Sequence, residues 1–198
     1  MWTGIYQSAM VLGGIMVFYG MDFGLMARYD KQRRTRGSGR SWEYTVIAMI
    51  GVAVLILQPI LEPRLGLQIA ARWGKWVQIA GLVLMIGALW LHGWARLHLQ
   101  HFYAERVELQ ENHCLVDSGP YAYVRHPIFT SFFLFAAALL LINPALPTLV
   151  VAGYVFWDFS RAARQEETLL SQNLVGYAEY MTRTSRFLPR PGRGFREK

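Results

Sequence analysis

At 198 residues the chain has room for one domain, and a composition 54% hydrophobic but only 17% charged, against about 25% charged in ordinary soluble domains, argues against a wholly soluble fold and against disorder. The single cysteine, Cys114, excludes an intramolecular disulfide framework and a cysteine-cluster metal site. The net charge of +7 implies no nucleic-acid partner, because basic residues on the inner side of a membrane protein meet anionic membrane lipids instead.

A bilayer span needs about 20 mostly apolar residues. Met1 to Met21, Tyr44 to Leu61 and Trp76 to Ala95 each lack Lys, Arg, Asp and Glu and predict three spans. A fourth such stretch, Pro127 to Trp157, has 31 residues; as one straight helix it would run roughly 46 Å at 1.5 Å per residue, too long for a hydrocarbon core of about 30 Å. Asn143-Pro144-Ala145-Leu146-Pro147 lies near its middle. Its two prolines remove two backbone donors and break the helix, predicting two spans near 127–143 and 146–162 joined by a tight turn. The expected fold is all-α, a polytopic membrane helix bundle of five transmembrane helices. Residues 1–95 carry the first three spans, and 96–198 carry a cytosolic connector, the hairpin 127–162 and a C-terminal interfacial helix.

The segments 28–40, 62–75, 96–126 and 158–198 hold six, three, three and eight Lys or Arg. With the N-terminus outside and the C-terminus cytosolic, 17 of the 20 basic residues fall inside, as the charge bias of membrane proteins requires. Trp2, Trp42, Trp73, Trp76, Trp94 and Trp157 fall near span ends, as in an aromatic belt. No Lys or Arg precedes Arg28, so a cleaved signal peptide is not expected.

Two polar segments, 96–126 and 161–189, lie on the cytosolic side of this topology and flank the last hairpin. In the first, Glu105, Glu108 and Glu111 suggest that the third span continues as a helix, and Asp117-Ser118-Gly119-Pro120 reads as a turn. In the second, Leu170, Leu174, Tyr177 and Met181 form an amphipathic stripe that predicts one interfacial helix ending at Pro189. The unusual chemistry therefore converges on the inner mouth of the last two spans. His98 and His101 with Glu105 could hold one metal, but histidines on an interfacial helix are more often plain amphipathic residues, and no metal is expected. His92 and Asp22 lie near span ends, where water is close, and are not assigned to a site. No G-x-S-x-G, P-loop or G-x-G-x-x-G occurs. The densest cluster is His113 to Pro127, followed by Arg161 to Glu167. Arg, His and paired Glu at a membrane face are costly without partners or a polar ligand. They form either an ion-pair cluster of Arg125 and Arg164 with Glu166 and Glu167, or a ligand site.

The order of these residues resembles the isoprenylcysteine carboxyl methyltransferase and phospholipid methyltransferase superfamily. The resemblance rests on His113, Leu115, Val116, Gly119, Tyr121, Arg125, His126 and Pro127; then Arg164, Glu166, Glu167 and Leu170; then Gly176, Tyr177 and Tyr180; and finally Arg186, Phe187, Leu188 and Pro189. It covers about residues 112–189, with Val175 standing where the family usually has phenylalanine. The resemblance implies S-adenosylmethionine bound at the cytosolic face, with His113, Leu115, Val116, Tyr121, Tyr123, Arg125, His126, Pro127, Glu166, Glu167, Tyr180 and Arg186 around it. It also implies catalytic roles for Arg164, near the acceptor's polar group, and for Glu167, at the cofactor or reaction centre. The residue types suit that cofactor: tyrosine faces and carboxylates favour a sulfonium, and Arg125 or Arg186 could meet its carboxylate. The implied partner is a lipophilic methyl acceptor, an isoprenylcysteine-like carboxylate first. A carboxylate acceptor needs no general base, and Arg164 could hold it; an amine or hydroxyl acceptor needs one, with Glu167 or His126 as candidates. Phospholipid amine methylation, an NADPH-dependent membrane reductase and a non-catalytic lipid-binding scaffold are the alternatives.

Overall fold

A computed structural model describes residues 2–29, 42–67, 71–99 and 115–189. The described residues are helical, with two isolated bridges and no strand. The helices are α1 (Ile5–Tyr29), α2 (Trp42–Leu61), α3 (Ala71–Leu99), α4 (Pro127–Ile142), α5 (Leu146–Asn173) and α6 (Tyr177–Arg183), with short 3-10 turns at Pro63–Leu65 and Gly119–Ala122. Ile5–Leu25 and Trp73–Leu99 are long and apolar enough to cross a membrane, and Thr45–Leu61 and Pro127–Ile142 are shorter apolar helices.

The break expected in the long apolar stretch is present. α4 ends at Ile142 and α5 starts at Leu146, with Pro147 in its first turn, where a missing backbone donor costs nothing. The turn is buried and must satisfy its polar groups internally. Asn143 Nδ2 donates to Gln58 Oε1 at 2.8 Å and Thr148 Oγ1 at 3.1 Å, and Gln7 and Gln78 both donate to Ile142 O at 3.1 Å. Leu67 N donates to Pro144 O at 2.6 Å. Side chains from α1, α2 and α3 thus pin the turn at the end of the bundle remote from the polar motifs.

The core between helices joins Val11, Ile15 and Phe18 of α1, Leu55 of α2, Met85 and Ala88 of α3, and Phe135, Ala138, Leu139 and Ile142 of α4. α3 and α4 pack closely at Gly81, where a Cβ would lie 2.9 Å from Leu141 Cβ and Ile142 Cγ1 and 3.0 Å from Ala138 O. α5 has 28 residues, about 42 Å at 1.5 Å per residue, so its C-terminal turns carry Arg161 to Glu167 past the apolar packing. Arg161 caps this stretch over the Trp157 ring, 5.8 Å from its centroid.

One expectation is corrected. The stripe Leu170, Leu174, Tyr177, Met181 does not lie on one helix: α5 stops at Asn173 and α6 starts at Tyr177. Gly176 turns the chain at φ 83°, a left-handed conformation that glycine takes without strain. The stripe residues nonetheless meet, because the turn folds α6 back so that Tyr177 and Tyr180 pack with Leu170, Leu174, Met181 and Leu115.

The contrast between two glycines of α3 tests this packing. Gly81→Ala should destabilise the protein by about 1–3 kcal/mol through overpacking. Gly87, where a Cβ meets nothing within 4 Å, should gain up to about 1 kcal/mol on substitution by Ala. Thermal unfolding in detergent reads both, and equal effects would contradict the α3–α4 contact.

Candidate functional site

The site is built around Glu167, in the last turns of α5. Its side chain is 4% exposed, so its charge must be answered locally. Arg125 Nε donates to Oε1 at 2.8 Å, and Arg186 Nε lies 3.0 Å from both oxygens, with Nη2 also donating to Oε2. His126 Nε2 lies 3.1 Å from Oε1. Burial works to raise the carboxyl's proton affinity. The hydrogen bonds from His126, Arg186 and Arg125 outweigh it and hold Glu167 well below the usual carboxylate range.

The donors come from two segments that pair with each other. Residues 185–187 run alongside 124–126: Arg125 N donates to Ser185 O at 2.8 Å and His126 N to Arg186 O at 3.1 Å. Thr130 Oγ1 lies 3.0 Å from both His126 O and Phe187 O. Arg125 Nη1 also donates to Met181 O at 2.9 Å and to Thr184 O, tying the end of α6 to the hub. Tyr180 OH donates to Tyr121 O at 2.7 Å, and Arg183 pairs with Asp117 at 2.8 Å. Burial raises the proton affinity of the Tyr177 phenol, with Glu166 and Glu167 adding to the effect. Tyr180 is raised too, chiefly by burial. Both phenols therefore remain neutral, Tyr180 as a donor and Tyr177 as an apolar face packed against it.

Glu166 has a different environment from its neighbour. Although 37% of its side chain is open, the burial of its carboxyl raises its proton affinity; His126, whose Nδ1 lies 3.6 Å from Oε2, opposes this, and the charge of Glu167 adds to it. His126 therefore stands between two carboxylates, one locked by two arginines and one without an arginine.

Of the residues singled out in the sequence, the structure brings Arg125, His126, Glu166, Glu167 and Arg186 into one polar cluster, with Tyr121 and Tyr180 bonded beside it. Pro127 opens α4, Leu115 packs on the cluster of Leu170, Tyr177 and Tyr180, and Val116 on that of Ala95, Tyr121 and Ile128. Tyr123 is 48% exposed. Arg164 is exposed and takes no part in the Glu167 ion pairs, so the second arginine of the cluster is Arg186. His113, and with it His101 and Glu105, lies outside the described residues. Among those described, no group of three His, Cys, Asp or Glu could hold a metal.

Sequence reasoning did not single out the aromatic residues behind the hub. His126 stacks on Phe129 (centroids 5.3 Å, planes 7° apart) and Phe129 on Phe159 (5.2 Å), and Phe159 packs against Phe132 at 4.7 Å with the rings tilted by 34°. Phe132 and Phe159 line an apolar groove of about 560 Å³ between α1, α2, α4 and α5, with Ala48, Gly51, Ala136 and Val151 along its walls. The polar hub and the apolar groove are therefore joined by a continuous ring stack. Only the i, i+3 spacing of Phe129 and Phe132 hinted at it.

The donor set suits S-adenosylmethionine. Glu166 could offer a carboxylate that no arginine occupies to a cationic centre, and Tyr123 an exposed ring. Ser185 Oγ, in the strap beside the hub, is buried with no hydrogen-bond partner among the described residues, a polar group that a ligand could satisfy.

Residues 79–172 match the model of the isoprenylcysteine carboxyl methyltransferase (ICMT) family. The chain is 31% identical over 155 residues to the protein-S-isoprenylcysteine O-methyltransferase of Rattus norvegicus, covering 75% of this chain and 52% of the relative. It is 30% identical over 122 residues to the cobalt-zinc-cadmium resistance protein CzcN of Cupriavidus metallidurans, covering 61% of this chain and 55% of that protein. The chain spans about half the length of these curated relatives. A solved eukaryotic intramembrane Ras methyltransferase, ICMT, superposes with a TM-score of 0.65 at 22% identity, covering 96% of this chain and 70% of that one. The two chains thus share a helical fold.

The depressed Glu167 carboxyl predicts a pH dependence. In the unfolded chain its proton binds with a pKa near 4.5. The stability it contributes is therefore fully present above that value and is lost as pH falls below it. Wild type should lose stability relative to Glu167→Gln as pH falls from 5 to 3. Parallel melting curves across that range would contradict the buried ion-pair hub.

Proposed function

We propose that the chain is a member of the isoprenylcysteine carboxyl methyltransferase family, whose model residues 79–172 match, and that it is a membrane-embedded methyltransferase that uses S-adenosylmethionine to methylate a lipophilic acceptor at the cytosolic face, an isoprenylcysteine-like carboxylate first. The observation that carries this reading is the junction of a charged hub with an apolar groove through the His126–Phe129–Phe159 stack. A lipid acceptor needs that combination: its chain in the groove, its head group at the polar end. The groove lies within the roughly 300–1,000 Å³ range of small-molecule sites.

When bound, S-adenosylmethionine supplies the electrophilic methyl group. The cofactor side consists of Leu115, Val116, Tyr121, Tyr123, His126, Pro127, Glu166, Tyr180 and Arg186. Glu166 would face the cationic centre, because the arginines of the cluster pair with Glu167 and leave Glu166 without one. Glu167 and Arg125 act from behind. The carboxylate of Glu167 is already taken up by two guanidiniums and an imidazole, so it anchors the site and does not serve as a base. Arg164, exposed one turn from Glu167, holds the acceptor's carboxylate by a charge-assisted bond. With the acceptor a carboxylate, no proton has to move. Burial among the aromatic rings excludes water, and most of the rate comes from alignment. The chain crosses the bilayer five times, with the N-terminus outside and the C-terminus cytosolic. α2, α4 and α5 then complete the set with the two longer apolar helices, and this orientation keeps Arg161 to Arg186 on the inner side.

Calorimetry with S-adenosylmethionine in mild detergent tests the reading. Folded wild type should bind; Glu166→Gln should bind about tenfold more weakly, the loss of roughly one charge-assisted contact. Arg164→Ala should bind the cofactor normally, yet lower labelled-methyl transfer to a prenylated cysteine at least about tenfold. Absence of binding by folded wild type would overturn the methyltransferase reading, and binding of NADPH in its place would favour a reductase.

The groove adds a specificity test. A Cβ at Gly51 would sit 3.9 Å from Val151 Cγ1, so in Gly51→Leu the first carbon fits and the rest enters the groove. KM should rise for long-chain acceptors and stay unchanged for short ones. Equal KM changes for all chain lengths would place the lipid elsewhere.

A further inference from the structure

A second polar cluster is buried in the bundle, separate from the Glu167 hub. Asp22 of α1 meets α3 at two residues: His92 Nε2 and Arg96 Nε each lie 3.0 Å from Asp22 Oδ1. His92 and Arg96 are four residues apart, on one helix face, so a single carboxylate can serve both. The other ring nitrogen, His92 Nδ1, lies 3.0 Å from Ser131 Oγ on α4. Ser131 Oγ is itself 2.6 Å from Ile128 O, to which it donates. A hydroxyl has one proton, and with that proton on Ile128 the Ser131 oxygen can only accept from His92 Nδ1–H. The Phe18 and Phe132 rings pack against the imidazole at 4.5 and 5.5 Å. His92, Arg96 and Ser131 are all buried.

Packing alone does not explain this arrangement. Buried charge groups are a poor stabilising device, since apolar side chains of similar volume do as well, and ionisable groups among membrane helices are functional candidates by default. What such a chain of hydrogen bonds supplies is register: it closes only at one relative placement of α1, α3 and α4. Its last link, Ile128 O, lies in the first turn of α4, two residues from His126. On the other side of the same turn, Thr130 Oγ1 links His126 O to Phe187 O of the C-terminal strap. Two neighbouring hydroxyls thus hold the turn that carries His126, one tied to the strap and one to the bundle.

We infer that Asp22, His92 and Ser131 are positioning residues for the site: through the first turn of α4 they set the His126 imidazole between Glu166 and Glu167, and its stack on Phe129. The kinetic consequence of this rests on the methyl-transfer reading; the effect on His126 does not.

The test uses the full chain in detergent micelles with 15N-labelled histidine, the His126 ring signals being assigned from a His126→Gln variant. Ser131→Ala, a mild truncation, and His92→Phe, which keeps the ring volume, should both shift the His126 signals. His92→Asn, whose amide can still donate toward Ser131, should shift them less than His92→Phe. Gln78→Ala is the control: it removes a buried bond at the remote end of the bundle and should lower the melting temperature without moving His126. In labelled-methyl transfer, Ser131→Ala should lower kcat per folded protein by about tenfold while acceptor KM changes less than about threefold, as expected for misalignment. His126 signals unmoved by both Ser131→Ala and His92→Phe, or moved equally by Gln78→Ala, overturn the inference. A wild type that transfers no methyl overturns the methyl-transfer reading, and the His126 signals still decide the positioning role.

Discussion

A carboxylate removed from water must be answered by donors at its new address, and Glu167 sets that demand for the whole polar end of this molecule. Its partners, Arg125, His126 and Arg186, lie 42, 41 and 19 residues away in the chain. Breaking a buried ion pair from one side typically costs about 3–5 kcal/mol, because the stranded charge has no partner. The Gly119–Ala122 turn, the start of α4, the end of α5, α6 and the strap 184–187 therefore form one unit. Arg125 strengthens the unit by bonding the carbonyls of Met181 and Thr184 with the guanidinium edge that Glu167 leaves free.

The hub is also the point where two solvents meet. On one side it opens to water through Glu166, Tyr123 and Arg164. On the other, its imidazole lies flat on Phe129, from which the ring stack reaches the groove. A stacked aromatic surface lets a charged cluster border an apolar space without leaving any polar edge unpaired. On the methyl-transfer reading the same geometry would bring an amphiphile's two ends to their preferred surroundings at once, which a polar cleft or an apolar groove could not do alone.

Much of this was legible from residue order. Asn143-Pro144-Ala145-Leu146-Pro147 announced the hairpin because proline acts locally, and the polar motifs named most of the hub because their spacing is distinctive. What escaped depended on contacts between distant segments. Helical spacing placed Arg164 near Glu167, but it cannot show that the strap returns Arg186 to that position. The stripe from Leu170 to Met181 fitted one helix as well as two, and the left-handed turn at Gly176 decided the matter. Asp22 and His92 looked like residues close to water; only the packing of α1 on α3 shows them facing each other with Arg96.

Glu166 and Glu167 show how adjacent residues on one helix acquire opposite properties. Successive helical positions point about 100° apart, so when one carboxylate faces the arginines its neighbour cannot. Glu167 receives the guanidiniums and stays charged under nearly all conditions; Glu166 receives partial burial and the repulsion of Glu167, with the imidazole of His126 at 3.6 Å as relief. Two carboxylates whose proton affinities are driven apart in this way mark a division of roles. The locked one fixes the geometry. The strained one, still short of a full counter-charge, gains most from a cation placed beside it, and on the methyl-transfer reading a sulfonium is such a cation. On that reading the stability of the hub and its affinity for a cationic ligand have a single origin, the unequal sharing of two arginines between two neighbouring glutamates.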